Sequence, residues 1–405
     1  LVEIDTLKML SKNNGIDSYN YLYNIGGDLF INHPKNKSSR RNLQKFPSFV
    51  SDKSTRIYFD MPEEYGYEYD SSFYFAIDQF RIDTLDKSSL PKFEFPGTFY
   101  SSNIFNPIEG KLITMPDNSF GFNISLDNKG LDAYNKKIKV YNNLLMDSTG
   151  LYVQGNLKYN TTMLFSEKIR LFPDSLTGIL DKGFMVGGND LNKTFKYPEI
   201  EISSLPFSYY NIDDDYIYFS HDSMTYANIT AYNQNVEIIG DMYVSSEQVS
   251  SSGSIKTNNS TFVSDEFRFN DSFVVSENTD ILLNYSNHPS GLLKGKDLFF
   301  KYSINKNIIE LKSSFNDERN FELPYYNFTT SLNEAIWSIN ENTLLLTSNQ
   351  GKRYAYPQED KFKNWNFIAE NLFVDLSRQT VFGNGIEELQ IADAYIIPEN
   401  KKITI

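Results

Sequence analysis

Three consecutive carboxylates, Asp213, Asp214 and Asp215, form the densest acidic cluster in the chain. On an extended strand Asp213 and Asp215 share a face, where hard carboxylate oxygens suit calcium. The run lacks the alternating Asp/Asn and mid-loop glycine of a dedicated calcium loop, so a solvated turn is the plainer expectation and no metal site is assigned. A second grouping sets Glu63, Glu64, Glu68 and Asp70 among Tyr65, Tyr67 and Tyr69. Paired carboxylates can hydrolyse glycosides without Cys or His, and aromatic faces beside them resemble a sugar subsite. Trp337 and Trp365 could also act as sugar platforms, although aromatic residues of a β core are more often buried. Tyr65, Tyr67, Trp337, Trp365, Asp213 and Asp215 are therefore the candidate ligand-binding residues. His221 adjoins Asp222 and Ser223, but strand neighbours face opposite ways, so a turn or surface role is expected for that trio.

Other chemistry is excluded by what the chain lacks. It has no cysteine, which removes zinc–thiolate sites, iron–sulfur clusters, thiol nucleophiles and disulfides together. The three histidines, His33, His221 and His288, are far apart. Gly383-Asn384-Gly385 continues as Ile-Glu-Glu and reads as a turn, and no phosphate loop, His-Glu-x-x-His or Gly-x-Ser-x-Gly occurs. No catalytic residue and no cofactor is expected, and a glycoside-active enzyme is the one enzyme class left open. Asp plus Glu number 52 against 38 Lys plus Arg, a net charge of −14 that would repel a polyanion, so nucleic acid is not an expected partner. A 40% hydrophobic and 15% aromatic content gives enough burial to offset chain entropy. No run of apolar residues is long enough to cross a bilayer as a helix. The opening at Leu1 and the strand-like close at Lys401–Ile405 read as a piece of something longer.

The elements that would hold such residues are strands. Ile57-Tyr58-Phe59, Phe73-Tyr74-Phe75-Ala76-Ile77, Phe93-Glu94-Phe95 and Ile217-Tyr218-Phe219 are short β-branched or aromatic runs bounded by turn residues. Only Leu7, Leu10 and Ile16 suggest a helix, near the start. Lys35, Lys37, Arg40, Arg41 and Lys45 read as a solvated loop.

Internal repetition is the most informative feature. Gly155–Leu171 and Gly253–Phe269 align at Gly155/Gly253, Lys158/Lys256, Asn160/Asn258, Ser166/Ser264 and Arg170/Arg268, an offset of 253 − 155 = 98. Upstream apolar positions follow it: Ile138 with Val236, Val140 with Ile238, Leu144 with Met242, Met146 with Val244 and Leu151 with Val249. One face of each strand is kept apolar, as a buried period-2 surface requires. In the C-terminal third, strand–turn–strand units recur around Asn305–Asn307, Asn340–Asn342, Ser377–Gln379 and Glu399–Lys401. Isolated hairpins are marginal, so these must stack. The expectation is an all-β chain, an elongated β-solenoid or stacked open jelly-roll built from repeated strand–turn–strand units. Its divisions would be an N-terminal β domain over 1–130, tandem repeats over 131–275 and a hairpin array over 276–405.

Phe93–Phe122, Leu171-Phe172-Pro173-Asp174-Ser175 and Leu389–Pro398 resemble a family of very long, exported Bacteroidota β-repeat proteins, in order from about residue 57 onward. That family has no assigned activity, so the resemblance implies location and repeat architecture and no catalytic residues. The C-terminal hairpins also resemble the stacked strands of the lipopolysaccharide-transport jelly-roll family. Asp5-Thr6-Leu7, Asp83-Thr84-Leu85, Asp174-Ser175-Leu176 and Asp222-Ser223-Met224 fit the O-glycosylation acceptor of such bacteria. The expected function is a non-catalytic cell-envelope or surface scaffold, extracytoplasmic, within a larger outer-membrane-associated assembly. Its expected partners are other envelope proteins or surface glycan. A glycan-binding or glycan-cleaving β-solenoid is the alternative, and a hydrophobic-groove lipid carrier a third reading.

Overall fold

Alternating apolar and polar residues become strands whose side chains alternate between core and solvent. Phe73–Ile77 buries Phe73, Phe75 and Ile77, and Thr343–Thr347 buries Leu344 and Leu346. The computed structural model describes the chain except residues 1, 14–15, 33–34, 36–44, 52–54, 60–68, 84–93, 118, 190–194, 222–227, 258–259, 285–290, 314–318, 350, 352, 358–365, 392 and 405. Among the described residues there is no α-helix, only single 3-10 turns such as Ile304–Lys306 and Pro324–Tyr326. The helix suggested near the start is absent: Val2–Asn13 and Ile16–Phe30 are strands paired antiparallel, with Leu7 opposite Ile25 and Leu10 opposite Tyr21. Backbone pairing overrides a weak local helical pattern there. Most of the basic run from Lys35 to Lys45 lies outside the described residues.

The chain divides into two compact units, Leu1–Asp181 with Phe207–Asp215, and Lys182–Pro206 with Tyr216–Ile405. In the first unit an antiparallel ladder passes through Thr55–Tyr58, Phe73–Ile77, Glu94–Ser101, Ile108–Thr114 and Phe120–Ser125. It continues into Ile138–Asp147, Gly150–Tyr159, Thr162–Leu171 and Ser175–Ile179. Phe73, Phe75, Phe99 and Phe122 form its buried aromatic centre, with the Phe73 and Phe99 rings edge-to-face at 5.1 Å.

In the second unit, Leu293–Ser303 is a fork. Its C-terminal half pairs with Ile308–Ser313, while Lys294 pairs with Glu322 of Phe321–Leu323. From there successive hairpins alternate between two ladders. One runs through Ile308–Ser313, Glu334–Ser338, Thr343–Thr347, Asn371–Asp375, Thr380–Asn384 and Lys402–Thr404. The other runs through Phe321–Leu323, Phe328–Thr330, Arg353–Pro357, Phe367–Ala369, Leu389–Ile391 and Ala394–Ile396. In the first ladder the register aligns Tyr302, Ile309, Trp337, Leu344, Val374 and Val381 in one row, and every member is buried. This row is the hydrophobic spine of the ladder.

Asparagine organises the turns. Asn307 and Asn342 adopt left-handed backbone conformations (φ 52° each) that asparagine tolerates better than most residues. The turns are stitched together by Ile339 N–H donating to Asn307 O (3.0 Å) and Leu376 N–H to Asn342 O (2.9 Å). Side-chain amides add Asn307 Nδ2 to Asn340 Oδ1 (3.1 Å), and at the far ends of the strands Asn384 Nδ2 to Asn371 Oδ1 (2.7 Å).

The 98-residue offset reappears as geometry. Leu131–Ala133 pairs with the following strand as Leu131↔Val140 and Ala133↔Ile138; Ile229–Ala231 does so as Ile229↔Ile238 and Ala231↔Val236. Each unit has a bulge just before its repeat glycine, and Gly155 faces Ser166 as Gly253 faces Ser264. At Gly253 (φ 112°) a Cβ would sit 2.5 Å from the Ile239 carbonyl oxygen, so glycine is required. Each repeat also opens on a buried tyrosine in a left-handed turn, Tyr134 (φ 48°) and Tyr232 (φ 55°). The Tyr134 hydroxyl lies 2.8 and 2.6 Å from the carbonyl oxygens of Phe172 and Ser175; that of Tyr232 lies 2.7 and 3.2 Å from those of Asn270 and Phe273. The backbone strain at these tyrosines, roughly 1 kcal/mol or more each, is offset by closing a distant turn against the repeat. Tyr134→Phe and Tyr232→Phe each remove the hydroxyl donor that closes the turn, while Ser175 O and Phe273 O keep the N–H of Phe172 and Asn270, and each is expected to cost about 1 kcal/mol. Urea unfolding of both variants checks this, and an unchanged midpoint would show that the hydroxyls contribute nothing.

Candidate functional site

The acidic cluster is a turn, not an extended strand. Asp213 and Asp214 point to solvent, whereas Asp215 is turned inward. Lys137 Nζ lies 3.3 Å from Asp215 Oδ1 and also donates to Ile212 O at 2.9 Å. The Tyr209 hydroxyl donates to Asp215 Oδ2 at 3.3 Å, and that of Tyr159 to Asp215 O at 2.9 Å. The shared strand face that would let Asp213 and Asp215 chelate calcium is therefore missing, and Asp215 is held by a lysine and a tyrosine. Among the described residues no group of three or more acidic or histidine side chains is placed to hold a metal ion.

Trp337 is 6% exposed inside the hydrophobic spine, so its ring presents no face to a sugar. Tyr65, Tyr67 and Trp365 lie outside the described residues, as do Glu63, Glu64 and Glu68. Asp70 is described: its Oδ1 accepts from Ser72 N–H (2.7 Å), Ser72 Oγ (2.6 Å) and Ser102 Oγ (2.7 Å), and these donors, Ser72 first, hold it below the usual carboxylate range. A carboxylate kept ionised in this way shapes a turn and is poorly placed to donate a proton. His221 donates its backbone N–H to Asp241 Oδ1 at 2.9 Å, while Asp222 and Ser223 lie outside the described residues.

Two further features escape sequence spacing because they depend on cross-strand register. On the exposed face of the first unit Tyr58, Tyr74 and Tyr100 align across three strands, Tyr74 and Tyr100 stacked at 4.8 Å, with the Arg56 guanidinium 4.7 Å from the centre of the Tyr74 ring. In the second unit a cavity of about 580 Å³ opens at the fork, beside Lys294, Lys296, Asp297, Arg319 and Glu322. Neither sequence signal nor motif marks it; only the parting of the two ladders creates it.

No known protein family matches the chain, and neither does any curated protein or any solved structure. No helix among the described residues is long and apolar enough to cross a membrane.

Carboxylates recur beside tyrosine hydroxyls that remain donors. Tyr152 donates to Asp147 (2.9 Å) and Tyr218 to Asp241 (2.8 Å); burial first, and then the adjacent carboxylate, pushes both phenols up to about 12. Burial likewise raises Tyr134, Tyr209 and Tyr232 above their ordinary value of 10.0. For a phenol whose folded pKa is raised, the unfolded chain loses its proton first. Stability is therefore whole below about pH 10 and is lost as pH rises beyond it, by up to about 1.4 kcal/mol per pH unit for each of the buried Tyr134, Tyr209 and Tyr232 and by less for the part-exposed Tyr152 and Tyr218. Thermal melts across the alkaline range should show this decline, shallower in Tyr209→Phe; a flat profile to pH 12 would contradict the buried donors.

Proposed function

We propose that this chain is a non-catalytic β-scaffold of the bacterial cell envelope, a contact surface within a larger outer-membrane-associated assembly. On this reading its stacked strand pairs form an open jelly-roll or solenoid course. The observation that carries it is the end of the two ladders. Ala394–Ile396 pairs only with Leu389–Ile391, and Lys402–Thr404 only with Thr380–Asn384, so each offers an edge without a strand partner among the described residues. Beside them Tyr395, Ile396 and Ile397 are 65%, 46% and 81% exposed. An apolar edge favours addition of a further strand, whether from a continuation of this chain or from another, even with Pro398, Lys401 and Lys402 beside it. The likeness to exported Bacteroidota β-repeat chains supports the extracytoplasmic location. Asp70, Asp147, Asp215 and Asp241, engaged with serines, a lysine and tyrosines, also favour architecture over catalysis at those positions.

Blue-native electrophoresis of native envelopes tests the reading. The wild-type protein should migrate in a high-mass complex, and Ile396→Pro, which breaks the edge strand's pairing with Leu389 and so dismantles that edge, should release it as a free chain. Free migration of the wild type, or an unaltered complex in Ile396→Pro and Tyr395→Lys alike, would overturn the proposal.

A further inference from the structure

The strand Phe273–Leu283 and the fork strand Leu293–Ser303 pair regularly except at two bulges, where their register shifts between Ser276 and Thr279 and between Thr279 and Ile281. The second shift leaves Lys296 and Asp297 both exposed in succession, and Asp297 takes a left-handed backbone (φ 51°). Its N–H is satisfied by Asp280 Oδ1 at 3.1 Å. Strained residues and bulges that re-aim side chains concentrate where a protein binds something.

Here the chain also opens a cavity. Between Lys294, which pairs with Glu322, and Leu298, which pairs with Ser313, the fork strand has no ladder partner on that side, and the cavity of about 580 Å³ occupies the gap. Its size falls within the range of about 300–1,000 Å³ usual for small-molecule sites. Gly295 lies along it; a Cβ there would meet Leu298 Cδ1 at 2.6 Å, so a larger residue would disturb the fork. Ile281 and Leu282 supply an apolar part of the wall. At one end Asn320, itself 7% exposed, is fixed by Ser313 Oγ and Ser331 O.

The charges in this cavity are not spent on one another. Lys294 and Glu322 are opposite in register, yet neither they nor Lys296, Arg319 or Asp297 makes a side-chain ion pair among the described residues. Nearby, Lys312 and Glu334 do form one, at 3.4 Å. Asp280, whose Oδ1 accepts the Asp297 N–H, also lines the cavity, so three cations stand beside three carboxylates with no ion pair among them, an arrangement that suits a ligand that is itself an anion and also a hydroxyl donor. A phosphate dianion would meet repulsion from Asp297 and Glu322, and a neutral sugar would leave the three cations unused.

We infer that the fork cavity binds an acidic saccharide of the uronic acid class. Its carboxylate lies against Lys294, Lys296 and Arg319, its hydroxyls donate to Asp297 and Glu322, and its C–H face rests on Leu282, which is opposite Lys294 in register. This site is independent of the ladder ends, so its failure would leave the scaffold reading intact.

Calorimetric titration of the full chain with galacturonate and glucuronate di- and trisaccharides tests it, with neutral hexose oligomers and inorganic phosphate as comparison probes. Saturable uronate binding is expected, weakened by salt, with neutral oligomers about tenfold weaker or more. Lys296→Met, Arg319→Met and Glu322→Gln should each weaken it by about tenfold, whereas Lys158→Met, an exposed lysine of the first unit, should not. Lysine acylation of the wild-type protein gives a readout independent of variant folding: uronate should shield Lys294 and Lys296. Absence of saturable uronate binding, equal binding of phosphate or neutral oligomers, unaltered binding in the cavity variants, or unshielded lysines would overturn it.

Discussion

A hairpin exposes half its backbone polar groups along its edges and one whole face of its side chains, so it is stable only when something else covers both. That constraint shapes the second unit. The row from Tyr302 through Ile309, Trp337, Leu344 and Val374 to Val381 exists because each strand's register is inherited from the one before it. A slip of one residue would turn the entire row to solvent. Asparagines hold that register from both ends of the strands: Asn307 and Asn342 bond turn to turn at one end, and Asn371 and Asn384, opposite in register, bond side chain to side chain at the other.

The same logic explains the chain's distinctive use of tyrosine. A buried phenol contributes a large apolar ring and one donor that reaches a remote backbone carbonyl or carboxylate. Tyr134 and Tyr232 reach across their repeats to a later turn, and Tyr159 and Tyr209 bind the acidic turn at Asp215. An acidic, cysteine-free chain thus gains its long-range cross-links from hydroxyl groups. These contacts also account for several carboxylates that resemble chemical machinery when only spacing is considered.

Much of the architecture was legible because strands write their burial into alternate residues. The all-β class, the turns near Asn305–Asn307, Asn340–Asn342 and Ser377–Gln379, and the 98-residue correspondence all follow from local pattern. The alternation of hairpins between two ladders is not local. Ser338 and Thr343 pair as neighbours, but Thr343 next pairs with Asp375, skipping an intervening hairpin that no periodicity assigns to a different ladder. The site was less legible still. Asp213–Asp215 is a turn and Trp337 a core residue, as the plainer readings of both expected, whereas the cavity at Lys294, Lys296 and Arg319 arises from a register shift that only three-dimensional pairing defines.

The interleaving has an evolutionary corollary. Because consecutive hairpins occupy different ladders, losing or gaining a single one would send every later hairpin to the opposite ladder, along with its turn asparagines and apolar row. Such an array can lengthen or shorten without penalty only in even steps, two hairpins at a time. Parity, as much as stability, then governs which length variants of this architecture survive.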